Sequence, residues 1–404
     1  MKRALTLGFA AILTSGAASA QGLYYSGTES TESLPLKWVV GTSMIYDDNV
    51  NPGFGFEDDS LAINPYVGLS FVNVTPQSTL DVYARLGLIY YFDAPGQMDD
   101  LSSQSRAGIN YTHRFSERLR FVSNNFISYE LEPDYSYGYA TSRASGEYFF
   151  WQSDNSVGYR WTERVGTYTG LRLSGTDYTD SNAPNNDRFT WELYKQFRYQ
   201  LSAQSVLTAD YRYGETTGNG FASDSTNQYL LVGAEHRFSP NTIGIIRAGA
   251  QFRDVEARDK ETSPYIEFTL NTQLTEALRV RSYARYGIED YDTVQYLPSG
   301  IAEFADRRTL RFGLSSEYVI SPMLSLNAGI DYIPTDYSDG EYVLTGAPAP
   351  DNEEELINAY IGVSVRFNDI ITAMASYNFT NSTSDDERRD YDRNRISVGL
   401  SAEF

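Results

Sequence analysis

Residues 80–92 read Leu80-Asp81-Val82-Tyr83-Ala84-Arg85-Leu86-Gly87-Leu88-Ile89-Tyr90-Tyr91-Phe92. Leu80, Val82, Ala84, Leu86, Leu88, Tyr90 and Phe92 fall on one face, and that face is apolar or aromatic throughout. The intervening positions, Asp81, Tyr83, Arg85, Gly87, Ile89 and Tyr91, are mixed. A period of two defines a β-strand, here with one face made for an apolar environment and the other for water. The template recurs. Leu278, Val280, Ala284, Tyr286 and Ile288 alternate with Arg279, Arg281, Tyr283 and Arg285. Ile357 to Phe367 alternates in the same way, and no convincing helical stretch interrupts the series.

Connections between these segments alternate in length. Val74–Ser78, Ser116–Arg118, Thr162–Arg164 and Ser202–Ser205 are short, whereas Asp47–Ser60, Glu132–Gly146, Asp290–Asp306 and Asp336–Glu355 are long and rich in acid. Tight turns on one rim and long loops on the other distinguish a bacterial outer-membrane barrel from a sandwich. The expectation is an all-β, transmembrane, antiparallel up-and-down β-barrel with short periplasmic turns and long extracellular loops. It has about 18 strands, or 16 if boundaries shift.

Composition agrees. Of 404 residues 14% are aromatic, with 33 Tyr and 21 Phe, which excludes a disordered chain. There is no Cys, so disulfides, thiolate metal sites and Cys nucleophiles are excluded. The net charge of −21 argues against a nucleic-acid partner. Mean hydropathy is −0.42, as expected when only alternate strand residues meet lipid. Trp38, Trp151, Trp161, Trp191, Phe115, Phe238 and Phe367 fall near strand ends, where interfacial girdles lie.

Residues 1–20 read as a secretory signal peptide: Lys2 and Arg3, an apolar run from Ala4 to Leu13, then Ala18-Ser19-Ala20 before the cut. Residues 21–35 form an N-terminal periplasmic segment, and residues 36–404 one barrel domain. At the far end Ile396, Val398, Gly399, Leu400, Ala402 and the terminal Phe404 resemble the strand by which barrels are handed to their assembly machinery.

The water-facing positions carry arginine. Arg85, Arg114, Arg172, Arg198 and Arg247 lie there, followed by Arg279, Arg281, Arg285, Arg311 and Arg366. Two readings stand. These guanidinium groups either set the selectivity of a hydrophilic path for anions, or pair with carboxylates on the same faces, such as Asp154, Glu192, Glu235 and Glu267, and brace the wall. In the first long loop Asp47, Asn49, Asn51 and Asp58 have part of the spacing of a calcium loop, although Pro52 replaces the required Gly. No other metal and no cofactor is expected. Enzyme chemistry has little to work with: the two histidines, His113 and His236, sit in the parallel stretches Thr112–Ser116 and Glu235–Ser239 at strand ends, as interfacial residues would.

The first strand, Trp38 to Val50, reads WVVGTSMIYDDNV and runs directly into Tyr46-Asp47-Asp48-Asn49-Val50. With the length and strand pattern, this resembles the beta-barrel porin 2 family of outer-membrane barrels, often encoded with exopolysaccharide production systems. The resemblance implies a passive channel accessory to polysaccharide export, with export components as partners, and transfers no catalytic residue. The competing expectation is a non-conducting structural barrel whose acidic loops bind lipopolysaccharide, cations or a partner in the outer membrane of a Gram-negative bacterium.

Overall fold

The computed structural model describes residues 19–21, 24–26, 33–50, 52, 58–94, 99–131, 147–179 and 187–404. Most of the expected signal segment therefore lies outside the described residues, while Ser19–Gln21 pairs with Tyr24–Ser26 in a small separate sheet. Eighteen long strands follow. They are β1 (Leu34–Asp47), β2 (Ser60–Val74), β3 (Ser78–Tyr91), β4 (Leu101–Arg114), β5 (Leu119–Glu130) and β6 (Tyr148–Arg160). Next come β7 (Val165–Tyr178), β8 (Arg188–Gln200), β9 (Ser205–Gly218), β10 (Ser225–Ser239), β11 (Thr242–Val255) and β12 (Glu261–Gln273). The wall is completed by β13 (Leu278–Ile288), β14 (Gly300–Ser321), β15 (Leu324–Tyr342), β16 (Asn352–Arg366), β17 (Ile371–Ser384) and β18 (Tyr391–Glu403).

Each strand pairs antiparallel with its sequence neighbours, and β18 returns to pair with β1 from Arg395↔Asp47 to Glu403↔Val39. The sheet has no edge. In lipid this matters, because unpaired backbone groups there cost several kcal/mol each (~2–7).

Alternation sets the two surfaces. On β1 Val40, Met44 and Tyr46 are exposed and Val39, Ile45 and Asp47 are buried; on β3 Leu86, Leu88 and Tyr90 point out while Ile89 and Tyr91 point in. At the short-turn rim Trp38, Phe115, Trp161, Phe238, Phe367 and Phe404 are all exposed, as a girdle requires. An apolar exterior on a closed sheet makes this a transmembrane β-barrel. Inside, tyrosine rings lie across glycines of the adjoining strand: a Cβ on Gly108 would stand 2.4 Å from the Tyr83 ring. Such close stacking leaves no space for a side chain.

Strands on the long-loop side run further than the apolar pattern. Connection spacing predicts a loop over 290–306, yet β14 begins at Gly300, and β15 continues to Tyr342, beyond the predicted loop start at Asp336. Above the bilayer a strand needs no apolar face, so polar residues such as Asp306, Arg307 and Arg308 do not end it.

Candidate functional site

The first and last strands are clamped at both ends of their seam. At the short-turn end Trp38 N donates to Phe404 O (2.9 Å), Phe404 N donates to Trp38 O (2.7 Å), and Lys37 pairs with Glu403. A Cβ on Gly399 would stand 2.8 Å from Thr42 O, so the strands meet there only because that residue is Gly. At the long-loop end the Arg393 guanidinium donates to both oxygens of Asp47 (3.0 and 2.6 Å), and Arg395 Nε lies 3.2 Å from Asp47 Oδ2. Asn394 donates to Asp48 from its backbone N (2.6 Å) and its side chain (2.7 Å). Asn49 Nδ2 reaches Asp392 O at 2.9 Å.

The Tyr46–Val50 stretch thus binds strand β18. Of the calcium candidates, Asp47 is committed to two arginines, Asn49 is buried against β18, Asp58 contributes its backbone O to Val50 N (3.0 Å), and Asn51 lies outside the described residues. Among the described residues no three His, Cys or carboxylate side chains are grouped to hold a metal.

In the wall, arginine and acid interlock. Arg172 (β7) bridges Asp154 on β6 (3.0 Å) and Glu192 on β8 (2.8 Å). Arg198 (β8) makes a two-pronged pair with Glu235 on β10 (2.7 and 2.6 Å), both side chains almost wholly buried. Glu267 on β12 takes Arg212 (2.9 and 3.2 Å), Arg247 (3.2 Å) and the Tyr265 hydroxyl (2.6 Å). Arg85 lies 4.0 Å over the Tyr66 ring and donates to Asn64 (3.2 Å). Arg279, 61% exposed, is 3.8 Å from Glu317, while Arg114, Arg281 and Arg366 lie near the short-turn ends of their strands. For Arg172, Arg198 and Arg247 the bracing geometry is what the fold presents.

The least expected element is the connection after β13. Strand β13 leaves β12 above Tyr286, and Ile288 exchanges hydrogen bonds with the Gln251 side chain of β11 (both 2.9 Å). Residues 289–299 then turn into the barrel mouth and return through a short strand, Val294–Leu297, paired with the start of β14. The tight reversal uses Gly300 at φ +137°, open to Gly alone, while Asp292 adopts φ +55°, tolerated because its side chain is short and polar.

Four consecutive side chains fasten this loop. Glu289 accepts from Arg285 (2.5 Å), Arg307 (2.8 Å) and Arg311 (2.7 and 2.8 Å). Asp290 accepts from Arg253, Ser225 (2.8 Å), Asn227 (2.9 Å) and Thr216 (3.2 Å). The Tyr291 ring lies 4.7 Å below the Arg188 guanidinium, and Asp292 holds the Tyr337 hydroxyl (3.0 Å) and Arg389 (2.8 Å). Burial alone would raise both leading carboxyls. Arg311, Arg285 and Arg307 around Glu289, and Arg253 against Asp290, outweigh it and hold them below the ordinary carboxylate range. Beyond Thr293 apolar packing of Leu297, Ala302, Phe304 and Tyr337 joins hydrogen bonds from Arg388 to Tyr296 O and from Asn352 to Gln295 (3.3 Å).

Alternation predicts Arg285 and Arg311 on the water face and gives no reason to place Glu289–Asp292 inside. The signal available was the run of acid and tyrosine directly after an arginine-rich strand. The histidines sit at the girdle: Ser78 Oγ is 2.7 Å from His113 Nδ1 and Ser205 Oγ is 2.8 Å from His236 Nδ1, each ring edge-on to the Phe two residues along.

No protein-family model matches the chain, and no curated protein matches it. Among solved structures it is similar to Pseudomonas aeruginosa OccK2 (OpdF) in complex with glucuronate, at 11% identity over 96% of this chain and 99% of that one, with TM-score 0.48. It is also similar to the outer membrane protein opdK of Pseudomonas aeruginosa, at 12% identity over 91% and 99%, TM-score 0.44. A third is Acinetobacter baumannii OccAB4, at 12% identity over 92% and 99%, TM-score 0.44.

Proposed function

We propose that this chain is a passive hydrophilic channel of the Gram-negative outer membrane, narrowed at its outer mouth by its own 289–299 loop. The observation that carries the reading is the pairing of an apolar, girdled exterior with a charged interior that a loop enters from one end. A barrel with no transport role needs no charged lumen, since apolar packing fills a closed core at lower cost. Insertion would run through the barrel assembly machinery, with Gly399 and Phe404 in the recognised last strand, and the acidic outer loops would face lipopolysaccharide. The finer reading, an accessory barrel of exopolysaccharide export, draws its support from the Trp38–Val50 resemblance, and gene neighbourhood tests it.

The direct test is conductance of refolded protein in planar bilayers, with folding verified by heat-modifiable gel migration. Wild type should give small steps, and a variant with residues 290–298 replaced by Gly-Gly should give larger ones. A folded variant without any conductance would instead support the non-conducting structural barrel.

A further inference from the structure

The lipid-facing side of the wall is not apolar all the way round. On β6 Asp154 points inward to Arg172, so its alternating neighbours Ser153 and Asn155 point out. On β5 the buried Arg120 and Glu130 mark the inner face, and Ser123 and Asn125 lie on the outer one with the exposed Ile127. These four side chains close a square of hydrogen bonds across the two strands. Ser123 Oγ donates to Asn155 Oδ1 (2.7 Å), Asn155 Nδ2 to Ser153 Oγ (2.8 Å), Ser153 Oγ to Asn125 Oδ1 (2.7 Å) and Asn125 Nδ2 to Ser123 Oγ (2.9 Å). Two strands further on, Lys195 of β8 shares the outer face with the exposed Leu193 and Phe197 and stands opposite the exposed Thr169 of β7. Its ammonium lies 5.5 Å from the Phe197 ring and makes no hydrogen bond or ion pair among the described residues. Aromatic residues bracket the patch from above and below: Phe121 and Tyr129 on β5, Trp151 and Tyr159 on β6, Trp191 and Tyr199 on β8. The outer faces of β18 and β10 carry Ile396, Val398 and Leu400, and Leu230 and Val232, instead. Amides are costly against hydrocarbon, and a lysine is most costly at the middle of the bilayer.

We propose that the β5–β8 face is the surface by which copies of this chain associate side by side in the membrane, with Lys195 of one copy seated on the Ser–Asn square of the next. The two edges are complementary. The square uses one N–H and one carbonyl lone pair of each asparagine, and an amide has two of each, so both carbonyls can accept again. An ammonium brings three donors and no acceptor. A contact about a twofold axis through the square would set Lys195 against β3, whose outer face carries Leu86 and Leu88 and offers it no acceptor. A head-to-tail contact about an axis normal to the membrane joins donor to acceptor and closes on itself. In an eighteen-strand wall each strand takes about 20° of the circumference, so the square and Lys195 face about 50° apart. The two neighbours of one copy lie roughly 60° apart about a threefold axis and roughly 90° apart about a fourfold one, so the spacing fits three copies. The short side chains of Ser123, Ser153 and Thr169 let the walls approach closely, and hydrogen bonds between polar groups then hold them.

The inference needs a membrane-spanning barrel but not a conducting one, and association is read without current. The chain has no cysteine, so introduced thiols report single contacts. Ile127 and Leu193 lie two residues from Asn125 and Lys195 on the outer face, each toward the long-loop rim. Oxidation of the Ile127→Cys/Leu193→Cys variant in isolated outer membranes should give covalent dimers and trimers of this chain, and neither single variant should cross-link. No cross-link in the double variant, products containing a different protein, or dimers from either single variant would overturn the proposal. Adding Lys195→Leu, a side chain that lipid accepts, should slow cross-linking about tenfold or more while heat-modifiable migration shows the barrel folded. Unchanged cross-linking in that folded variant would also overturn it. If it does not fold, Asn125→Leu tests the other edge of the same contact, with the same loss expected and the same failure if none is seen.

Discussion

The Arg198–Glu235 pair of the wall and the Arg311–Glu289 pair of the mouth are chemically the same two-pronged contact, and both are nearly buried. They differ in what they join. Arg198 and Glu235 sit on strands β8 and β10, fixed by continuous backbone ladders on either side. Glu289 begins a loop that has left β12, with Ile288 turned toward the Gln251 side chain of β11, although its backbone N still donates to Arg307 O on β14 (2.9 Å). The first pair joins two strands of the wall; the second ties an inward loop to the wall. Ion pairing by itself therefore says little about role, and the backbone behind each partner decides it.

That contrast can be broken by mutation. The largest effect is expected from Arg198→Ala, which leaves Glu235 buried and uncompensated at a cost of about 3–5 kcal/mol. It should appear as a lower urea midpoint for the folded barrel, with no change in conductance per folded channel. Glu289→Gln should do the reverse, shifting the loop by about 1–3 kcal/mol through lost charge-assisted bonds and raising open-channel probability while the urea midpoint barely moves. If both substitutions altered folding and neither altered conductance, the distinction between wall and mouth would fail.

The seam offers an intermediate case. Asp47→Asn weakens the Arg393 and Arg395 contacts and should cost about 1–2 kcal/mol, read as a faster loss of heat-modifiable migration.

For pH, Glu289 and Asp290 have depressed values in the folded barrel. Their stabilising contribution is complete above the ordinary carboxylate pKa of about 4.3 and is lost as pH falls through the depressed values. Conductance should therefore stay flat from about pH 5 to 8 and rise only in stronger acid. A transition near neutrality would show that these carboxylates do not hold the loop. The smallest effect is expected from Arg279→Gln, whose pair with Glu317 is exposed and 3.8 Å long, and which should change stability by less than about 0.5 kcal/mol.

Much of the architecture was legible residue by residue. The alternation in Leu80–Phe92 and its repeats marked strands and their two faces, and the alternating connection lengths gave eighteen strands. Both signals are local, because a strand's inside and outside are set by neighbours one residue away. The water-facing arginines were read from the same alternation. What they face was not legible. Arg198 meets Glu235 from 37 residues away and Arg389 meets Asp292 from 97. Likewise Asp47, spaced like part of a calcium loop, meets Arg393 across 346 residues at the seam.

The sequence by itself therefore determined a closed, girdled barrel with a charged interior, since lipid on one face and water on the other leave alternating strands no other arrangement. Only the tertiary structure decided that the wall arginines are paired and that the acidic stretch after β13 turns inward. Partner identity depends on which strands closure brings opposite each other, and a polar segment beyond the bilayer carries no periodicity to say whether it points to solvent or into the mouth.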